Sequence, residues 1–255
     1  NVDTLAIAAA AGERLKLDIN SRISLSNNDS GADNTVFGFL AGAALASGGD
    51  DNVLIGDYAG NALTTADGAI AIGSGALLTH TTGSVNIAIG AYAMDDTNAG
   101  STSLSSDHNI FIGLNAGGGT WADAASSANV AIGNYSMDAA MNGADNNTAV
   151  GYAALGALTT GDQNVCIGAN AGLLIDSESG CTLIGYQAGN GNLNAAHYCV
   201  AIGHNAFQGA ATQEGTVAIG TSALAALTTG AGNVAVGYQS LKSVTVGDDN
   251  VAVGK

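Results

Sequence analysis

The sequence predicts an all-β fold: a parallel β-solenoid or β-roll of about thirteen coils, most of them 17–18 residues long. Three observations carry this. A phrase of Asn, a β-branched residue, a small residue, Ile or Val, and Gly recurs thirteen times. Its β-branched column is never broken. No charged residue falls inside the phrase.

The closing glycines anchor the repeat, from Gly38 and Gly56 through Gly151 and Gly168 to Gly254. Successive anchors lie 17 or 18 residues apart, except for Gly90 to Gly113 (23) and Gly113 to Gly133 (20). Such a period is the signature of a stacked array. Three residues before the anchor stand Thr35, Val53, Ile70 and their ten equivalents, all β-branched. Directly before it stand Ile or Val, with Phe37 in the first coil. β-branched columns fit a pleated strand and disfavour a helix. Residues alternate between strand faces. The β-branched residue and the Ile therefore share one face; the Asn, the small residue and the Gly share the other. Neither face is charged, so both are expected to be covered. Neighbouring coils about 4.8 Å apart give a rod on the order of 60 Å long. Three residues after the anchor only Ala or Ser occurs, from Ala41 to Ser240, which predicts a close backbone approach.

Four residues before the anchor, nine of thirteen coils carry Asn, among them Asn52, Asn86, Asn109, Asn129, Asn147, Asn164, Asn233 and Asn250. Stacked Asn amides can bond coil to coil as a ladder. Asn also suits turns, where it tolerates left-handed backbone. Both readings are structural. Cys181 and Cys199 take this column in successive coils. Stacking brings such Cα atoms within disulfide range, about 4.4–6.8 Å; buried, reduced thiols are the expected state, as for Cys166.

Residues 1–30 differ from the repeat domain, 31–255. Leu5 and Ile7, then Leu15, Leu17 and Ile19, then Ile23 and Leu25 alternate with polar residues. This predicts three half-buried strands, forming a β lead-in or an N-terminal cap.

Composition excludes several function classes. Charged residues make up 10% of the 255, against about 25% in ordinary domains. There are 21 acidic and 5 basic residues, for a net charge of −16. The bases are Arg14, Lys16 and Arg22 near the start and Lys242 and Lys255 near the end. A nucleic-acid binder needs Lys and Arg against phosphates, and anionic membrane surfaces need them too. No apolar run approaches the roughly 18 residues of a membrane helix. The predicted chain binds no nucleic acid and does not insert in a membrane. The long stretch without Lys or Arg also denies trypsin-like proteases a site. His80, His108, His197 and His204 are scattered, without a nucleophile motif or paired base, so no catalysis is expected.

Two features are candidate sites. The long coils place extra residues in Met94–Asn109 and Gly117–Asn129. Insertions in repeat proteins project as loops, often on the binding face. Trp121, the single Trp, would offer a sugar-stacking platform there, with Asp95, Asp96 and His108 on the neighbouring loop; alternatively Trp121 folds back over the roll. GDDN turns at Gly49–Asn52 and Gly247–Asn250 make Asp50, Asp51, Asp248 and Asp249 candidate ligands for a structural calcium, which takes six to eight oxygens. The same residues suit Asx turns. No other cofactor or metal is indicated.

The uncharged second strand face is most simply covered by another copy of the chain, closed by cyclic symmetry. NVAIG at Asn129–Gly133, NVAVG at Asn233–Gly237 and NTAVGYAAL at Asn147–Leu155 resemble the repeat region of bacteriophage tail fibres of environmental and marine type. They are similar as well to the head of trimeric autotransporter adhesins. GYQSL at Gly237–Leu241 and the TTG turns at Thr159–Gly161 and Thr228–Gly230 match the longer tail-fibre period. The resemblance covers about Asn34 to Gly254. It implies a homotrimeric shaft on a virion tail or cell surface, supporting attachment to a host glycan or protein receptor beside other fibre or tail proteins. A subunit of a bacterial extracellular filament is the alternative. An ice-binding solenoid needs a flat Thr face, which TTG in only some coils does not provide. A hexapeptide acyltransferase needs a hydrophobic signature every six residues, where this chain has one per coil.

Overall fold

The computed structural model of the chain describes residues 32–97, 105–191, 196–209 and 214–255. The strands predicted within residues 1–30 lie outside the described residues. Thirteen three-residue strands form one sheet: β1 (Thr35–Phe37), β2 (Val53–Ile55), β3 (Ile70–Ile72), β4 (Ile87–Ile89), β5 (Ile110–Ile112), β6 (Val130–Ile132), β7 (Thr148–Val150), β8 (Val165–Ile167), β9 (Thr182–Ile184), β10 (Val200–Ile202), β11 (Val217–Ile219), β12 (Val234–Val236) and β13 (Val251–Val253). They stack in chain order, each parallel to the next, and no helix occurs among the described residues. Register follows the sequence columns: Val53 pairs with Ile70, and Ile55 with Ile72. The fold is the predicted parallel β-solenoid.

Each strand ends at its anchor glycine for two reasons. The backbone there has φ between +125° and +152° across the thirteen anchors, a range that side chains rarely adopt. The next coil is also too close: a Cβ on Gly56 would stand 2.5 Å from the Gly73 carbonyl oxygen. The chain then turns through left-handed residues two and four positions on, as at Ala153 (φ 51°) and Leu155 (φ 50°). The small residue between them is buried, as Ala154 is. A third left-handed residue precedes the Asn column, as at Asn146 (φ 59°). Coil-to-coil bonds such as Thr148 N–H to Asn164 O (2.8 Å) and Gly168 N–H to Val150 O (2.8 Å) hold the stack.

The core runs up the inside of the coils. The middle residue of β2 through β12 points inward and is buried; the flanking Val, Ile and Thr point outward and are half-buried or more exposed. Inside, each coil has room for one large side chain on the strand side. Where the strand middle is large, the position four after the anchor is glycine: Leu54 with Gly60, Phe111 with Gly117, Leu183 with Gly189. Where it is Ala, that position is large: Ala71 with Leu77, Ala131 with Met137, Ala201 with Phe207. Further round the coil a second column fills the rest, with Leu63, Trp121, Met141, Leu158, Ile175 and Leu227 all buried.

Candidate functional site

The Asn column forms a continuous hydrogen-bonded ladder wherever Asn residues are successive. The Asn147 amide N–H and its Nδ2 both donate to Asn129 Oδ1, at 2.9 and 3.1 Å. Nδ2 donates as well to the Gly161 carbonyl in the next coil at 2.8 Å. Asn147 Oδ1 in turn accepts from Asn164 N and Nδ2, at 2.9 and 3.1 Å. Asn52, Asn86, Asn109, Asn129, Asn147, Asn164 and Asn233 are fully buried, and Asn250 is exposed in the last coil. Buried amides so satisfied act as scaffold, not as ligand contacts. The column is interrupted at Ala69, Cys181, Cys199 and Thr216. The Thr216 hydroxyl is buried without a partner. The three cysteines are buried and form no disulfide. Burial pushes the Cys166 thiol well above its ordinary range, which removes it from thiolate chemistry.

A second ladder, which the sequence reading did not resolve, runs two residues earlier. Asp50 Oδ1 accepts the Ala32 amide at 2.6 Å, and Asp67 Oδ1 accepts the Asp50 amide at 2.8 Å. Ser84 Oγ accepts the Asp67 amide at 3.1 Å, Asp162 Oδ1 the Asp145 amide at 2.8 Å, and Asp248 Oδ1 the Ala231 amide at 2.9 Å. Here the acceptor comes from the following coil; in the Asn ladder it comes from the preceding one. The signal was hidden because Asp, Ser and His alternate in the column, each supplying an acceptor of similar reach. The GDDN turns thus have a structural account. Asp50 and Asp248 cap amides of the coil before, while exposed Asp51 and Asp249 hold the left-handed position at φ 59° and 54°.

Of the two readings of Trp121, the structure bears out the one that folds it back over the roll and corrects the surface platform. Trp121 is completely buried, its Nε1–H donates to the Gly117 carbonyl at 3.0 Å, and its ring packs edge-on to Phe111 with centroids 5.7 Å apart. The extra residues of this coil carry the indole inward, where its area removes more apolar surface from water. Asp96 sits beside it through backbone, its carbonyl accepting the Trp121 amide at 2.8 Å, and its carboxylate accepts the Thr120 hydroxyl at 2.6 Å. Asp95 is partly buried, with Oδ1 unpartnered. Burial, reinforced by the nearby Asp96 and Asp138 carboxylates, raises its pKa to about 6. His108 lies apart from that carboxylate group, exposed and 3.1 Å from the Asp107 carboxylate. Trp121, Asp95, Asp96 and His108 therefore do not combine into one receptor surface.

The most extensive surface feature is the outer strand face. Its two flanking columns hold 26 residues, none charged, in a chain of net charge −16. They form an uncharged stripe, apolar but for Thr35, Thr148 and Thr182, with Ile132 and Ile167 still 40% and 39% exposed. One step past the anchors, exposed Phe39, Leu114, Tyr152, Tyr186 and Tyr238 extend it. A stripe on the order of 60 Å by 10 Å offers roughly 600 Å², at the upper end of the largest patches on ordinary monomers. The flanking aromatics widen it toward the ~800 Å² per partner of a standard interface.

Among the described residues there is no group of three or more His, Cys, Asp or Glu placed to hold a metal ion, and no helix long and apolar enough to cross a membrane. Comparison of the chain with protein-family models, with characterised proteins and with solved structures returned no match.

Proposed function

We propose that the chain is the rod of an extracellular attachment fibre, of tail-fibre or adhesin-head type, in which three copies pack strand face against strand face and support contact with a host surface. The uncharged outer stripe carries this reading. Acidic residues are kept off both flanking columns over all thirteen strands, although the chain has 21 of them. A solvated sheet face has no such requirement; a face buried between chains does. Two side-chain ladders that run along the axis over several coils at a time suit a rod that transmits length and stiffness without chemistry. The low charge and the absence of Lys and Arg between Arg22 and Lys242 suit an extracellular protease-exposed location.

The test is the mass of the full chain in solution by light scattering, with electron microscopy of particles from the native source. Three times the chain mass is expected, falling to one chain for the double variant Ile132→Glu, Ile167→Glu with its strand circular-dichroism signal retained. A clean wild-type monomer overturns the strand-face assembly. Native filaments polymerised end to end, in place of discrete fibres on particles, would favour the filament-subunit reading.

A further inference from the structure

One departure from the repeat on the surface opens a cleft. Two residues after each anchor stands a left-handed residue; in three successive coils it is Tyr58, Gly75 and Tyr92, with φ 55°, 68° and 56°. Gly75 is the only glycine in that column. One position earlier, Asp57 is the only carboxylate in its column, and Ser74 follows it in the next coil. These departures from the repeat meet in a cavity of about 300 Å³ lined by Asp57, Tyr58, Ser74, Gly75, Leu78 and Tyr92.

The walls are set before any ligand arrives. The Gly75 amide donates to the Asp57 carbonyl at 2.8 Å, and the Tyr92 amide to the Ser74 carbonyl at 2.9 Å. The Tyr92 ring leans down onto Gly75, its Cδ1 and Cε1 standing 2.9 and 3.0 Å from where a Cβ would be. Any side chain at 75 would displace it. The Tyr58 ring is steadied by Phe39, edge-on with centroids 5.5 Å apart. Tyr58 and Tyr92 nevertheless keep 37% and 47% of their surface exposed. Two coil steps, roughly 10 Å at parallel-strand spacing, separate their backbones.

Charge selects the class of ligand. The cleft has one carboxylate and two aromatic rings and no basic side chain among its lining residues. The chain carries −16, and no Lys or Arg lies between Arg22 and Lys242 to neutralise Asp57 from within. An anion is repelled by this field. A neutral sugar gains nothing from it. An organic cation gains the field, the carboxylate and the π faces together. Leu78 and the ring edges favour an alkylated ammonium over a strongly hydrated primary one, because less hydration is lost on entry. We propose that the Tyr58–Tyr92 cleft binds a quaternary ammonium group of the trimethylammonium class. The cleft is lined by one chain, but its Asp57 and Ser74 stand in the column of Phe39, Leu114 and Tyr152 that borders the strand-face stripe.

Calorimetric titration of the full chain at low salt tests it, with tetramethylammonium and choline chlorides as probes and ammonium chloride and galactose as controls. Both quaternary ions are expected to bind with a dissociation constant on the order of 1 mM, weakening as sodium chloride is added. Asp57→Asn and Tyr92→Leu each weaken binding by about tenfold with the melting temperature unchanged. Absence of binding by the quaternary ions, equal binding of ammonium, binding of galactose alone, or variants that bind like wild type would each overturn the proposal. The mass is read on the same samples: a monomer that binds the quaternary ions fails the fibre reading alone, and a trimer that does not bind them fails this proposal alone.

Discussion

Leu54 and Gly60 share one space: a Cβ on Gly60 would stand 2.7 Å from Leu54 Cδ2. The same exclusion holds for Phe111 and Gly117, where Cδ1 and Cε1 stand 2.6 Å from the hypothetical Cβ. Core volume is kept in most coils while the position that supplies it moves; the Cys166–Gly172 coil is the exception, where Leu183 of the next coil and Ile175 reach toward the space. Close-packed interiors require this, since neither a void nor an overlap is tolerated.

That trade-off predicts a compensating pair. Leu54→Ala removes the one large strand-side residue of its coil and should cost about 2–5 kcal/mol. Gly60→Leu overpacks the same coil and should cost about 1–3 kcal/mol; its backbone can accept Leu, because Leu77 stands at the equivalent place with φ 53°. The double variant reproduces the Ala71–Leu77 arrangement and should recover about 2 kcal/mol of the summed loss. Urea unfolding of the four proteins measures the coupling; additive losses would refute shared volume.

Two glycines with positive φ should respond very unequally to the same substitution. Gly73 (φ +136°) faces the Gly90 carbonyl oxygen, 2.5 Å from where a Cβ would be, and Gly73→Ala is expected to prevent folding. Gly68 (φ +64°) has nothing within 4 Å, and its column holds Asp51 and Val85 elsewhere, both at φ 59°. Gly68→Ala should cost only about 1 kcal/mol. Soluble yield and unfolding midpoint separate them, and equal tolerance would mean the anchors are not sterically fixed.

Much of this fold was legible from the sequence because its columns are chemically narrow. Thirteen unbroken β-branched residues and thirteen glycines at a fixed period leave little besides stacked parallel strands. Features with mixed chemistry were not legible. The Asp50–Asp67–Ser84 ladder changes residue type at almost every step and keeps only an acceptor. Trp121 sits in an irregular coil, which reads as a surface loop until the indole is seen against Phe111. The Tyr58–Tyr92 cleft exists because Gly75 lacks a side chain, and an absence in one column has meaning only once the coils are stacked.

The Asn ladder predicts both a loss and a gain. Asn147→Ala would leave the Asn164 amide and the Gly161 carbonyl without their side-chain partners, at about 1–3 kcal/mol for each buried group. Thr216→Asn fills a gap where a buried hydroxyl has no partner, and should stabilise by about 1 kcal/mol through contact with Asn233 in the next coil. Thermal unfolding reads both. A destabilised Thr216→Asn variant would show that the interrupted rung is packed for Thr.

The interior position of Trp121 gives a spectroscopic prediction. As the single tryptophan it should emit at short wavelength, resist acrylamide quenching and ignore added glycans. Trp121→Ala should cost about 3–5 kcal/mol as a core truncation. Ready quenching of the folded chain would return the ring to the surface.

Stability should depend on pH through His80 and, in the opposite direction, through the buried edges of the Asp95 and Asp138 carboxyls, whose pKa values are both raised by burial. His80 takes a core position where other coils carry Leu63 or Leu158. Its Nδ1 lies 3.0 Å from Thr97 Oγ1, and its Nε2 lies 3.1 Å from both Asn86 Nδ2 and the Gly83 carbonyl. Burial lowers its pKa from 6.5 to about 4, although neighbouring carbonyls and Asp107 favour the charged form. The folded state thus holds this proton less well than the unfolded chain. Stability falls as pH drops from 6.5 toward 4, by about 3 kcal/mol at most. Asp95 is shifted the other way, from 3.8 to about 6. Its contribution is complete below pH 3.8 and is lost as pH rises through about 6; the half-exposed carboxyl makes it the smaller effect. The wild-type unfolding midpoint should therefore rise from pH 4.5 to 7, more steeply in Asp95→Asn, and should fall over that range in His80→Leu. A wild-type midpoint that is highest near pH 4.5 would place a solvated, freely protonated His80 outside the core.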